Sequence, residues 1–215
     1  MIGPGPVPLA MFPLESALLP GEDLPLRVFE PRYVALVQDC LHSAEPQFGV
    51  VLISRGREVG GGEVRCDVGA LARIAECIDQ GDGRYVLRCR MGERIRVDDW
   101  LPDQPYPRAM VRAWPDEPGP VVRAEQLRRL EDQLLALFER IAAARGARLP
   151  GREVLLGSGD DADAGTRLYS LASRVPVGPA DRYKILAAPS AAQRLAALRD
   201  ALESIAAVVE FQLSQ

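Results

Sequence analysis

The hydrophobic period of this chain changes once, at Pro115-Asp116-Glu117-Pro118-Gly119-Pro120. Proline has no N–H and a fixed φ, so prolines at this density end any helix or sheet ladder that reaches them. Ahead of the break the apolar residues alternate. Tyr85, Leu87, Cys89 and Met91 fall on one side of a strand, with Arg84, Arg88 and Arg90 on the other. Behind the break Leu127, Leu130, Leu134, Leu137, Phe138 and Ile141 recur at helical spacing. Strands followed by helices predict an α+β fold, with a β-rich lobe over residues 9–118 and a helical lobe over 119–215.

The Gly/Pro-rich start, residues 1–8, is expected to be disordered. Strands are predicted at Leu24–Val28, Gln47–Ser54, Val68–Ile78, Tyr85–Trp100 with a bulge or bend at Gly92, and Tyr106–Trp114. Asp79-Gln80-Gly81-Asp82-Gly83 has hairpin-turn chemistry. A helix over Arg32–His42 interrupts these strands, which are expected to curl as an antiparallel sheet. In the second lobe helices are predicted over Val121–Ala144, Thr166–Arg174 and Pro179–Ala187. A last helix begins after Ser190, whose hydroxyl is placed as an N-cap. Its stripe of Leu195, Leu198, Leu202, Ile205 and Val209 reads as core.

The segment Leu24-Pro25-Leu26-Arg27-Val28-Phe29-Glu30-Pro31-Arg32-Tyr33 joins a strand to a helix. Leu24, Leu26 and Val28 alternate as a half-buried strand does. Pro31 can open a helix at no cost in hydrogen bonds, and Glu30 favours that helix's positive end. Glu30 and Arg32 are expected to fix the corner while Phe29 and Tyr33 fill the core. Further on come Phe48-Gly49-Val50-Val51, Val68-Gly69-Ala70-Leu71-Ala72-Arg73-Ile74, Asp82-Gly83-Arg84-Tyr85, Gly92-Glu93-Arg94-Ile95-Arg96-Val97 and Leu171-Ala172-Ser173-Arg174-Val175-Pro176-Val177. In this order they resemble the Lon protease N-terminal, substrate-binding domain of peptidase family S16, over roughly residues 9–214. One departure is Ala70, where the family usually carries Thr. The resemblance implies a PUA-like pseudobarrel. It makes Pro25, Phe29, Glu30, Pro31, Arg32, Tyr33 and Gly69 motif positions with structural roles.

The resemblance also carries the names peptidase and ATP-dependent protease, but the residues for that chemistry are not in this sequence. A phosphate-binding loop needs Gly-Lys-Ser/Thr. The single lysine, Lys184, stands between Tyr183 and Ile185. A Ser-Lys dyad would need the same Lys184 desolvated beside a serine, whereas it falls in a predicted surface helix. The expectation is therefore a protein that is not an enzyme. It binds unfolded or damaged polypeptides, or a protease or adaptor partner.

The remaining chemistry-bearing residues receive plainer readings. His42 is a helix-end histidine with no nucleophile motif nearby. Asp160, Asp161 and Asp163 lack the twelfth-position carboxylate of a calcium loop, because Ala172 stands there. Cys40, Cys66, Cys77 and Cys89 form no C-x-x-C pair, so free thiols and no metal are expected. No cofactor is implied. No signal peptide is expected, because the first basic residue is Arg27, and no run of ~18 apolar residues occurs; a reducing cytoplasm is the expected compartment. A net charge of −4 disfavours nucleic acid, although Arg84, Arg88, Arg90, Arg94 and Arg96 would supply an alternative nucleic-acid face. The simpler reading is a solvated face balanced by Glu93, Asp98 and Asp99. The polypeptide-binding surface is expected on the β-rich lobe or between the lobes, around Leu18, Leu19, Pro20, Phe29 and the Gly60, Gly61 and Gly62 loop.

Overall fold

The computed structural model describes residues 5–58, 62–157 and 163–213. The chain divides into two compact units, Met1–Pro115 and Asp116–Gln215. The first holds β1 (Val7–Leu14), β2 (Asp23–Val28), α1 (Pro31–Leu41), β3 (Gln47–Arg55), β4 (Val64–Asp79), β5 (Tyr85–Leu101) and β6 (Arg108–Ala113). The second holds α2 (Ala124–Ala144), α3 (Arg152–Leu156), α4 (Ala164–Ala172), α5 (Pro179–Leu186) and α6 (Ala191–Leu213). The fold is α+β.

The sheet order is β2-β5-β4-β3-β1-β6, and β5 also pairs with β6. That last pairing closes β5, β4, β3, β1 and β6 into a ring, with β2 outside it on β5. The sheet is mixed and not wholly antiparallel, because β1 runs parallel to β3. The sequence hides this pairing. Met11, Phe12, Pro13 and Leu14 are all buried, so β1 has no polar face to alternate. Val7 and Pro8, expected to be disordered, belong to β1 and pair with Val111 and Met110.

Two apolar clusters account for burial on both faces. Met11, Val51, Leu71, Ile95, Val97, Ala109 and Val111 come from the five ring strands and fill the ring. Gly49 makes room there, since a Cβ would lie 2.5 Å from the Met11 sulfur and 2.8 Å from Ile95 Cδ1. Phe12, Leu24, Val28, Phe48, Leu87, Cys89 and Met91 form the other cluster with Tyr33, Leu36, Val37 and Cys40 of α1. Phe12 and Tyr33 stack with centroids 4.1 Å apart. The bend at Gly92 is real. Between the pairs Ala72/Met91 and Ala70/Arg94, β5 carries one extra residue. It passes β5 from the α1 cluster, at Met91, to the ring interior, at Ile95.

In the second unit α6 packs against α2, α4 and α5. Leu195, Leu198 and Leu202 of its stripe are buried, and Ile205 and Val209 are half-buried. Arg194 is fully buried. Its guanidinium lies 3.9 Å from the Tyr169 ring centroid, and Nη1 and Nη2 donate to Asp116 at 3.0 and 2.5 Å. The Asp163 carboxylate accepts from the Thr166 hydroxyl and backbone N–H at the start of α4, which lowers its pKa. Asp160 and Asp161 lie outside the described residues.

Candidate functional site

The strand-to-helix corner is built as its residues dictate. Pro31 occupies the first turn of α1, and the Glu30 carbonyl accepts from the N–H groups of Tyr33 and Val34. Arg32 Nε sits 3.3 Å from Glu30 Oε2, and its Nη2 donates to the Glu58 carbonyl at 2.9 Å. The same guanidinium lies 4.4 Å from the Tyr33 ring centroid. Glu30 and Arg32 thus pin the corner to the loop after β3. Gly69 has a different use. A Cβ there would stand 2.1 Å from the Val50 carbonyl oxygen, so the approach of β4 to β3 requires glycine. Pro25 lies on β2, with β5 on one side.

Tyr33 is 3% exposed, as expected, but Phe29 is 61% exposed and does not fill the core. The alternation explains the correction. Leu24 and Val28 face inward and Arg27 outward, so Phe29 follows Arg27 to the solvent side. The register extends this face across three strands. Arg27 of β2 opposes Val86 of β5, which opposes Ile78 of β4. One step beyond, the Gln80 N–H donates to the Arg84 carbonyl at 2.9 Å, so Arg84 stands in the next row, beside Phe29. Phe29, Arg27, Arg84, Gln80, Tyr85 and Val86 line a groove of about 580 Å³ with Val28. Behind it, a hollow of about 100 Å³ is lined by Phe29, Leu14, Leu26, Glu30, Tyr33 and Glu58, among others. The Tyr33 hydroxyl has no hydrogen-bond partner among the described residues. Burial pushes its pKa up.

Other expected contact residues are placed differently. Leu19 is 0% exposed, and its N–H donates to Glu22 Oε2 at 2.7 Å. It is core and cannot touch a ligand. Leu18 is half-buried against the α1 cluster, and Pro20 is partly buried. Gly62 is exposed with φ +77°. Gly60 and Gly61 lie outside the described residues. Sequence reasoning did not include Arg27, Val86 or Ile78, although continuing the β2 and β5 alternation by two residues would have found the first two.

The arginine series does not form one face, because β5 bends at its bulge. Arg88 pairs across the strands with Glu76 at 3.2 Å, and Arg90 with Asp23 at 2.8 Å. Arg94 is 4% exposed and lies 4.4 Å from the Trp114 ring centroid, with Arg96 at 5.2 Å from the same ring. Of the carboxylates expected to balance the series, Glu93 pairs with Arg73 and Asp98 with Arg112.

Other reactive groups are held in quiet states. Lys184 is exposed and paired with Asp181 at 2.9 Å, a hydrogen bond that raises its pKa and favours the ammonium. His42 is exposed, with Nδ1 2.6 Å from the Gln38 carbonyl. Cys40 and Cys89 are buried, and burial pushes their thiols up to about 11 and about 12. Cys66 and Cys77 are half-buried. Among the described residues no His, Cys, Asp and Glu group is arranged to hold a metal, and no helix is long and apolar enough to cross a membrane.

The family described as the ATP-dependent protease La (LON) substrate-binding domain matches residues 8–204. The chain belongs to this family. Within the Lon relatives, the Lon protease of Anaeromyxobacter dehalogenans (strain 2CP-C) is 31% identical over 113 residues, which is 52% of this chain and 13% of that protein. Lon protease 2 of Myxococcus xanthus is 32% identical over 114 residues, 52% of this chain and 14% of that protein. The matched stretch is therefore a small part of those proteases. Among solved structures, a Lon N-terminal domain protein from Xanthomonas campestris superposes with a TM-score of 0.66 at 29% identity, covering 90% of this chain and 98% of that one. The N-terminal domain of a Mycobacterium avium complex Lon protease gives 0.62 at 16% identity, covering 92% and 98%, and shares the fold.

Proposed function

We propose that this Lon-family domain binds unfolded or damaged polypeptide on the Phe29 face, without catalysis of its own, and serves as an adaptor for proteolysis. The observation that carries the reading is the outward Phe29 beside a groove, on a fold whose family is described as substrate-binding. An exposed aromatic offers a large apolar contact that loses little conformational freedom on binding. The groove floor adds Val86 and Tyr85, and Ile78 stands 57% exposed beside Val86. A non-catalytic role is supported by the state of Lys184. A protonated, solvated lysine is the wrong form for a general base.

Fluorescence anisotropy with labelled, reduced and carboxymethylated α-lactalbumin tests the proposal. Saturable binding by the parent, weakened in Phe29→Ala and leaving the probe intact on a gel, is the expected result. Absence of binding, or equal binding by Phe29→Ala, overturns the assignment. Cleavage of the probe by the parent overturns the non-catalytic reading: lost in Lys184→Ala it makes that lysine catalytic, and persisting there it reveals a mechanism without it.

A further inference from the structure

We infer that the Phe29 groove selects extended peptide segments in which an acidic side chain is flanked by apolar ones. This rests on the polypeptide-binding reading and names the class of segment the groove takes. The argument comes from how charge is distributed over one face of the β2–β5–β4 ladder. In its lower rows each arginine of β5 has a carboxylate across the strand, Arg88 with Glu76 and Arg90 with Asp23. In its upper rows Arg27 and Arg84 are exposed, and neither guanidinium has an ion pair or hydrogen bond among the described residues.

These two cations border an apolar strip. Val86 stands between Arg27 and Ile78 in one row, and Phe29 stands beside Arg84 in the next. Arg27 and Arg84 are diagonal neighbours on adjacent strands, a spacing of roughly 7–8 Å that two long side chains can close around one carboxylate. Of the nearby carboxylates, Glu30 faces Arg32, Asp79 accepts from the Gly81 N–H and Glu58 from the Glu15 N–H, while Asp82, in the turn before Arg84, pairs with neither guanidinium. The missing anion is therefore expected from the ligand, with its apolar neighbours on Phe29 and the Val86–Ile78 pair.

An internal segment fits better than a chain terminus. Along the same strands, past Pro25, lies a second hollow of about 440 Å³ bordered by Leu24, Pro25, Ala75 and Cys89 together with the Arg88–Glu76 and Arg90–Asp23 pairs. The ligand can continue in that direction. Nucleic acid fits worse, because two unpaired guanidiniums beside paired ones make a point of positive charge and not the stripe that a phosphate backbone follows.

The test uses the full chain and four fluorescent twelve-residue peptides. Three are capped at both ends and share an apolar core around a central Glu, Gln or Lys; the fourth carries Gln and a free terminal carboxylate. Affinity should fall in the order Glu, Gln, Lys, with about tenfold between the extremes at low salt, and the spread should shrink as salt rises. In Arg27→Gln/Arg84→Gln, which removes only exposed groups, the three capped peptides should bind alike while the melting temperature holds. If they already bind alike in the parent and Phe29→Ala weakens all of them, charge selection is overturned and polypeptide binding stands. If no peptide binds, both readings fall. Tighter binding of the free-carboxylate peptide than of the Glu peptide would assign the cations to a chain terminus. Displacement of the Glu peptide by oligouridylate at matched concentration would assign them to phosphate. Either result overturns the inference.

Discussion

Replacing Phe29 by Ala should remove most polypeptide affinity and leave the fold standing. A phenylalanine presents on the order of 200 Å² of surface. With 61% of it exposed, about 120 Å² is free to be covered by a ligand. At ~25 cal/mol/Å² that area corresponds to about 3 kcal/mol, an upper bound because ordering the ligand offsets part of it. A loss of about 1–2 kcal/mol, or roughly 5- to 30-fold in Kd, is the expected outcome. The exposed side chain contributes little to folding, so stability should change by no more than about 0.5 kcal/mol. The assay is anisotropy titration of the unfolded α-lactalbumin probe, paired with urea unfolding of the parent and the variant. An unchanged Kd would refute the reasoning. So would a loss of several kcal/mol in stability, because that would mean Phe29 is part of the core after all.

Three further outcomes follow from the packing. Gly69→Ala should destabilise the strand unit by about 3 kcal/mol, because its Cβ would meet the Val50 carbonyl at 2.1 Å; urea unfolding followed by Trp fluorescence checks this, and a neutral result would contradict the tight β3–β4 approach. Arg194→Ala should cost the helical unit about 2–4 kcal/mol, seen in thermal melts, because it removes the ion pair to Asp116 and empties a fully buried site. The strand unit should be base-sensitive. Burial raises the pKa of Cys40 to about 11, and of Cys89 and Tyr106 to about 12, from the ordinary 9.0 of a thiol and 10.0 of a phenol. Their contribution to stability is complete below about pH 9 and is lost as pH rises toward 12, because the unfolded chain gives up these protons first. A flat stability profile between pH 9 and 12 would contradict it, as would fast alkylation of both buried thiols in the native protein at pH 8.

The strands were legible where one face meets solvent. The alternation of Tyr85–Met91 told the two faces of β5 apart, and Gly92 marked its bulge. The closure of the ring was not legible. It depends on the β1–β6 and β5–β6 pairings between segments far apart in sequence, and β1 is buried on both faces. Phe29 was legible by parity, but its apolar character argued the other way, and the nearest strand residues carry the truth: Val28 in, Arg27 out. Buried Arg167 and Arg194 look like any other arginine in a chain whose cations are nearly all arginine. Arg167 reveals its role only through Glu131 and the Leu156 carbonyl, partners that sequence spacing does not announce. The five-residue α3 is too short to show a helical period.

The most direct test of the central claim is a titration of the ¹⁵N-labelled protein with the unfolded α-lactalbumin probe, followed by amide chemical shifts. The account predicts saturable shifts concentrated at Arg27, Phe29, Arg84, Tyr85 and Val86. Shifts confined to α2–α6, or none at saturating probe, would contradict it.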